Sequence, residues 1–254
     1  MNIAVCVKSA IDEGELGADP FGAPRIKGAE TKINAFDRNG VEEALRQREV
    51  NGGTVTVVTL GTADSRKAVK EALAMGADKA TLILADVPPD ALGTAWGLAK
   101  GIRSLVGGVD LVICSEGSAD TYQGQVGAMV AEFMDLPFLP YAKKIAIAGG
   151  VIRCEANSEA GIRVSEAGLP AVVSVVPETN IPRYPTLLQL MNASKKPIDE
   201  VQFSSLIGTD YPDTGTEVLD VRAQPADRKR VLFEGSPDEE ARKLVAALKQ
   251  EGVI

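Results

Sequence analysis

The sequence predicts a doubly wound α/β domain: a mostly parallel sheet covered by helices on both faces, then an extended C-terminal arm and a terminal helix. Three observations carry this expectation. Short Val- and Ile-rich runs recur without polar alternation, as strands buried on both faces require. Amphipathic stretches separate those runs, and strand–helix alternation builds parallel sheets through right-handed crossovers. The periodicity then lapses after about residue 185 and returns only at the C-terminus.

In chain order, the predicted strands are "NIAVCVK" (2–8), "TVTVVTL" (54–60), "KATLIL" (79–84), "VDLVICS" (109–115) and "PAVVSVVP" (170–177). Between them, Val41, Ala44 and Leu45 begin one apolar stripe, and Ala68, Val69, Ala72 and Leu73 form a second. Leu92, Ala95, Trp96, Ala99, Ile102 and Leu105 form a third; Val126, Met129, Val130, Phe133 and Met134 form a fourth. Spacing of three and four residues places each set on the sheet-facing side of a helix. Trp96 and the methionines on these stripes are therefore read as core. Beyond residue 185 the chain is rich in Asp, Pro, Gly and Thr, and so long an irregular stretch suits an arm lying on another surface. The terminal helix starts cleanly. Ser236 caps it, Pro237 takes the first helical position and Glu239 completes a capping box. The domain boundary is placed near residue 190, with a nucleotide-binding domain over 1–190 and the arm and helix over 191–254.

Composition excludes several function classes. The 254 residues include no histidine and three cysteines. Ser-His-Asp and Cys-His catalysis are thereby ruled out, as are zinc sites using His, and three thiols fall short of an all-cysteine zinc site. Cys6, Cys114 and Cys154 are too few and too widely spaced for a disulfide framework, and Cys6 and Cys114 sit inside apolar runs as core residues. A net charge of −8 argues against a generic nucleic-acid binder, whose affinity comes from neutralising phosphates. No run reaches the roughly 18 apolar residues of a membrane span, and no basic region precedes the first apolar stretch as in a signal peptide. A cytoplasmic protein is expected. A chain of this length buries roughly 70–75% of its unfolded surface, so it needs neither disulfide nor metal for stability.

In doubly wound sheets ligands bind beyond the carboxyl ends of the strands. Three segments are expected to converge there: "KSAIDEG" after the first strand, "KINAFDRNG" (32–40), and "SEGSADTYQGQVGAMVAEF" (115–133). In the last, Gly117, Ser118, Thr121, Gln123 and Gly124 form a small polar turn before a helix starting near Gln123–Val126. Free N–H groups and the dipole at a helix start attract an anion, although a Gly/Ser loop before a helix is also ordinary turn chemistry. Asp120 is read as a cap for that helix. Neither GxGxxG after the first strand nor GxxxxGK[ST] occurs, so neither the usual dinucleotide fingerprint nor a P-loop is present. "SEGSAD" only faintly echoes the loop of ATP pyrophosphatases, and it follows the fourth strand instead of the first.

The whole chain resembles the β subunit of electron transfer flavoproteins. "IAVCVKSAID", "VEEALRQRE", "TVTVVTLG", "ALAMGADKA" and "GQVGAMVAEFMDLP" follow in that family's order. "LPAVVSVVPETNIPRYPTLLQLMNASKKPI" (169–198) is similar to its signature. The resemblance implies a Rossmann-like sheet of the adenine nucleotide alpha hydrolase-like type, a heterodimer with an α subunit on which the arm and terminal helix pack, and a shared FAD. It also implies a structural AMP buried in this chain. Electrons would arrive from dehydrogenases and leave to a quinone reductase or another acceptor, with no stand-alone enzyme activity, since the flavin carries the redox chemistry. By the same resemblance Cys6, Asn34, Ala35, Phe36, Asp37 and Leu60 hold adenine and ribose. Within the loop 117–128, Gly117, Ser118, Thr121, Gln123, Gly124, Gln125 and Val126 hold the phosphate. The resemblance also makes Phe36 a candidate neighbour of the flavin ring, the alternative being a plain core aromatic. Residues 180–191 are the partner-recognition loop, with Pro182, Arg183, Tyr184, Leu187 and Met191 as contacts and Leu187 as the apolar anchor. The chain departs from the family pattern at Glu13, Gln123 and Ile181. Two alternatives stand beside this reading: an electron-bifurcating relative with a second FAD in the AMP site, and a stand-alone adenine-nucleotide sensor.

Overall fold

A computed structural model describes all residues except 13, 15–16, 19–22, 25–27, 213–215, 217–218 and 223–228. The chain divides into two compact units, residues 1–17 with 25–220 and residues 18–24 with 221–254.

The first unit opens with β1 (Asn2–Cys6), a short antiparallel pair of β2 (Ser9–Ile11) and β3 (Thr31–Ile33), and α1 (Ala35–Asn51). Then come β4 (Thr54–Gly61), α2 (Arg66–Met75), β5 (Lys79–Leu84), α3 (Ala91–Gly101), β6 (Leu111–Ser115) and α4 (Val126–Met134). β7 (Phe138–Ala142) precedes an antiparallel sheet of β8 (Lys144–Ala148), β9 (Val151–Ser158) and β10 (Gly161–Gly168). β11 (Ala171–Val175), α5 (Leu187–Ala193), β12 (Asp199–Gln202) and α6 (Phe203–Leu206) complete it.

Seven strands form the main sheet in the order β12-β5-β4-β1-β6-β11-β7, each pair of neighbours parallel. The five strands expected from apolar runs are β1, β4, β5, β6 and β11. Their side chains alternate between two cores, as the period-2 geometry of a strand dictates. Val5, Val57, Ile113 and Val173 face α1 and α2. Ala4, Val58, Val112 and Val172 face α3 and α4. Both faces are therefore dry, which is why the strands read as unbroken apolar runs. Trp96 and Met134 are buried as expected, Met129 is packed against the same core, and Leu105 is exposed.

The structure adds elements that the apolar runs did not reveal. β7 and β12 close the two edges of the sheet. β7 carries Pro140, which an edge strand tolerates, and β12 is the polar sequence DEVQ, as suits an exposed edge. In β8 and β9 only alternate residues point inward, with Ile152 and Cys154 buried and Ile145 and Ile147 packed beside them. Residues 187–206, expected to begin the irregular arm, instead hold α5, β12 and α6, and β12 pairs with β5 over Asp199–Gln202. Residues up to 220 group with the sheet.

The second unit contains the terminal helix α7 (Pro237–Gln250). The Glu239 carboxylate accepts the Ser236 backbone N–H at 2.9 Å, the capping box expected from the sequence. Leu244 and Val245 on this helix are exposed.

Candidate functional site

The chain runs from β1 outward to β4 and β5, then crosses back to place β6 on the other side of β1. That reversal makes the carboxyl ends of β1 and β6 the topological switch point, where open α/β sheets bind ligands. Cys6 ends β1, Ser115 ends β6, and α1 begins beside them.

Two buried polar residues at the start of α1 hold the β6–α4 loop. Asn34, 1% exposed, donates from Nδ2 to the Gly117 carbonyl at 2.9 Å and accepts the Ala119 N–H at 3.0 Å. Its side chain is thus committed to the loop and does not cap α1. Asp37, 4% exposed, accepts the Lys8 backbone N–H at 2.6 Å and the Ser115 hydroxyl. Burial pushes its carboxyl up to about 6, against the lowering effect of hydrogen bonds from Ser115, the Lys8 backbone and Asn34. The Ser115 Oγ also lies 2.8 Å from the Gly117 carbonyl.

Lys8 crosses the mouth of this crevice. Its ammonium donates to Asp120 Oδ1 at 2.6 Å, to Ser118 Oγ at 3.1 Å and to Thr121 Oγ1 at 3.3 Å. Burial works to raise the Asp120 carboxyl, but hydrogen bonds from Lys8 and Ser118 and the Lys8 charge outweigh it and hold it below its ordinary value. This corrects the expectation that Asp120 caps the following helix: its partner is Lys8, and α4 begins at Val126 with no side-chain cap. The first N–H groups of α4 remain available to an anion. Gly124 has φ of 66°, and a Cβ there would stand 3.3 Å from the Glu116 carbonyl. The turn is left-handed at that residue, where glycine costs least.

The sequence-derived residues fall into three groups. Asn34, Asp37, Gly117, Ser118 and Thr121 are joined in the hydrogen-bonded cluster just described. Cys6 and Leu60 are buried beneath it, with Ala35 and Phe36 half-buried on the first turn of α1. Gln123, Gly124 and Gln125 are exposed along the loop, and Val126 is half-buried at the helix start. The Cys6 thiol is pushed up by its hydrogen bond to Cys114 and by burial. The Phe36 ring meets Tyr122 edge-on, centroids 5.8 Å apart. Glu13 lies outside the described residues. Sequence reasoning missed Lys8, Ser115 and the true partner of Asp120. Their one signal was position, at the ends of the first and fourth predicted strands. A separate cavity of about 260 Å³, lined by Glu116, Tyr141, Asn157, Val176 and Glu178, flanks the loop.

Residues 180–191 form a second surface. Thr186 and Gln189 make a capping box that starts α5. Leu187 is 75% exposed, and Ile181, Tyr184, Leu188 and Met191 are exposed with it. Pro182 and Arg183 are half-buried, and the Arg183 guanidinium turns back to Glu42 and Glu49 on α1. On the other side of α5, Ala193 is buried and Lys196 Nζ donates to the Leu73 and Ala77 carbonyls at 3.3 and 3.1 Å. Among the described residues no cluster of His, Cys, Asp or Glu could hold a metal, and no helix is long and apolar enough to cross a membrane.

A crevice at the topological switch point, floored by buried Asn34 and Asp37, is where a doubly wound α/β protein takes its ligand. Residues 26–206 match the family described as electron transfer flavoprotein domain. Over its full length the chain is 33% identical to the electron transfer flavoprotein subunit beta of Thermoanaerobacterium thermosaccharolyticum and 30% identical to that of Bacillus subtilis, each also covered in full. It is 35% identical to the Mycobacterium bovis protein of the same name, over 84% of this chain and 83% of that one. The chain belongs to the electron transfer flavoprotein β-subunit family.

Proposed function

We propose that this chain is the β subunit of a heterodimeric electron transfer flavoprotein, holding a structural AMP at the switch point and completing an FAD site shared with an α subunit. The observation that carries the AMP assignment is the hydrogen-bonded cluster of Asn34, Asp37, Lys8 and the 117–126 loop at the carboxyl ends of β1 and β6. Its donors fit a nucleoside monophosphate. The uncapped start of α4 and the hydroxyls of Ser118 and Thr121 supply neutral donors to a phosphate, and Lys8 supplies a cation already balanced by Asp120. Cys6 and Leu60 are buried, so their part is to line the adenosine pocket through backbone and packing. Ala35, Phe36, Gln123, Gly124, Gln125 and Val126 complete the proposed set.

The flavin, when bound, accepts electrons from a dehydrogenase and passes them to a quinone reductase or another acceptor. This chain contributes position and no catalytic group. Residues 180–191 present the donor-facing surface, with Leu187 as the anchor: an exposed apolar side chain on a short capped helix suits a transient contact. The arm and α7, with Leu244 and Val245 exposed, pack on the α subunit. Co-expression with the α chain tests the proposal. A yellow 1:1 complex is expected, whereas two chains that purify apart and retain no flavin would end it. A homodimer releasing ATP would instead favour a nucleotide sensor.

A further inference from the structure

Helix α1 serves both surfaces. Its start holds the nucleotide loop, and its following turns hold the chain that leads into α5. Asn39 and Asn180, both buried, exchange hydrogen bonds. Asn39 Nδ2 donates to the Asn180 and Pro177 carbonyls at 2.8 and 3.0 Å, and Asn180 Nδ2 donates to the Asn39 carbonyl at 3.0 Å. Three residues later Arg183 makes a fork. Its Nε and Nη2 donate to the two carboxylate oxygens of Glu42 at 2.7 and 3.1 Å, its backbone N–H donates to Glu42 at 3.1 Å, and its Nη1 donates to Glu49 at 2.8 Å.

We propose that Arg183 is a positioning residue: it fastens the 180–191 segment to α1 through Glu42 and Glu49, so that the apolar face of α5 is presented in one pose, and it does not itself contact the electron donor. The proposal rests on the reading of 180–191 as the donor-facing surface. Two physical arguments support it. Glu42 is 3% exposed; Arg46 one turn along α1 donates to it once, at 2.8 Å, while Arg183 donates three times, so loss of Arg183 leaves a buried carboxylate under-partnered, which is destabilising. The planar guanidinium is the cation whose donors match both oxygens at once. Moreover, Nε, Nη1 and Nη2 are all engaged within the chain, while the side chains that follow, Tyr184, Leu187, Leu188 and Met191, are exposed. Holding their backbone in advance removes part of the ordering cost that a loop otherwise meets on binding.

The test compares Glu42→Gln, Arg183→Lys and the double variant in the flavin-loaded heterodimer, with a substrate-reduced flavin dehydrogenase as donor. Glu42→Gln keeps size and one acceptor, and Arg183→Lys keeps charge and loses the fork. Because Arg183 is partly exposed, each single change is expected to raise the donor concentration for half-maximal transfer by about three- to fivefold. The limiting rate is expected to hold, and the double variant to be no worse than either single one. Amide exchange over 184–193, measured without donor, is expected to quicken in all three. If Arg183→Lys impairs transfer while Glu42→Gln does not, Arg183 is a direct contact and the proposal is overturned. Unchanged amide exchange in Glu42→Gln overturns it as well. Faster exchange with an unaltered donor dependence removes 180–191 from donor recognition, and Arg183 then has no positioning role in the reaction.

Discussion

Replacing Asp37 by Asn tests whether the buried carboxyl at the switch point is kept for function at a cost in stability. In the folded chain burial raises this group from 3.8 to about 6, so the folded state holds its proton more tightly than the unfolded state. Its stabilising contribution is complete below the unfolded value and is lost as pH rises through about 6. The difference of about two pH units corresponds to a cost of roughly 3 kcal/mol once the group is ionised, at about 1.4 kcal/mol per unit. Asn carries no such cost, and its contacts survive. Its oxygen can accept the Lys8 N–H, and its amide can donate to Ser115 Oγ, whose own proton then turns to the Gly117 carbonyl 2.8 Å away. Urea denaturation of both proteins should therefore give similar stabilities near pH 4 and a variant more stable by up to about 3 kcal/mol near pH 8. Taking the difference between the two proteins cancels the pH dependence of the other carboxylates. If that difference stays flat from pH 4 to 8, or if the Asp37→Asn variant is the less stable protein at pH 8, the buried carboxyl carries no such cost.

Four further outcomes are expected. Lys8→Met removes the cation that holds Asp120, Ser118 and Thr121 in place and leaves the Asp120 carboxylate unbalanced beside the proposed phosphate site, so AMP retained after gel filtration should fall by about tenfold or more. Leu187→Ala should raise the donor concentration for half-maximal transfer by roughly thirtyfold, about 2 kcal/mol, with flavin content unaltered in the absorbance spectrum. In Gly97→Ala the new Cβ would stand 2.5 Å from Leu60 Cδ1 and 2.7 Å from the Phe203 ring. The Leu60 tip can rotate, but Phe203 is wedged edge-on between Trp96 and Tyr211, so a loss of about 1–3 kcal/mol is expected in urea denaturation. Finally, Cys6, Cys114 and Cys154 are buried, and burial pushes the Cys154 thiol up to about 12. A thiol reagent near pH 8 should label them only on unfolding, since thiolates are the reactive form.

Much of the fold was legible because its central strands are buried on both faces and so consist of Val, Ile, Leu and Ala. The edges were not: Pro140 in β7 and the charges of β12 mask strands whose outer sides meet solvent. β8 and β9 do alternate, with Ile145, Ile147, Ile152 and Cys154 inward, a one-faced pattern that continuous runs do not capture. At the site, loop and helix were legible as turn chemistry, but the ion pair between Lys8 and Asp120 joins residues over a hundred positions apart. Only the reversal of strand order beside β1 brings them together. The same holds for Arg183 and Glu42: the family signature marks the arginine, and no local pattern marks its partner on α1.

Everything proposed for the switch-point crevice turns on its holding one AMP while a single shared FAD does the redox work. Denaturing the purified heterodimer and separating the released nucleotides by chromatography measures both at once. One AMP and one FAD per heterodimer are expected; two FAD with no AMP, or no adenine nucleotide beyond the single FAD, would overturn the assignment.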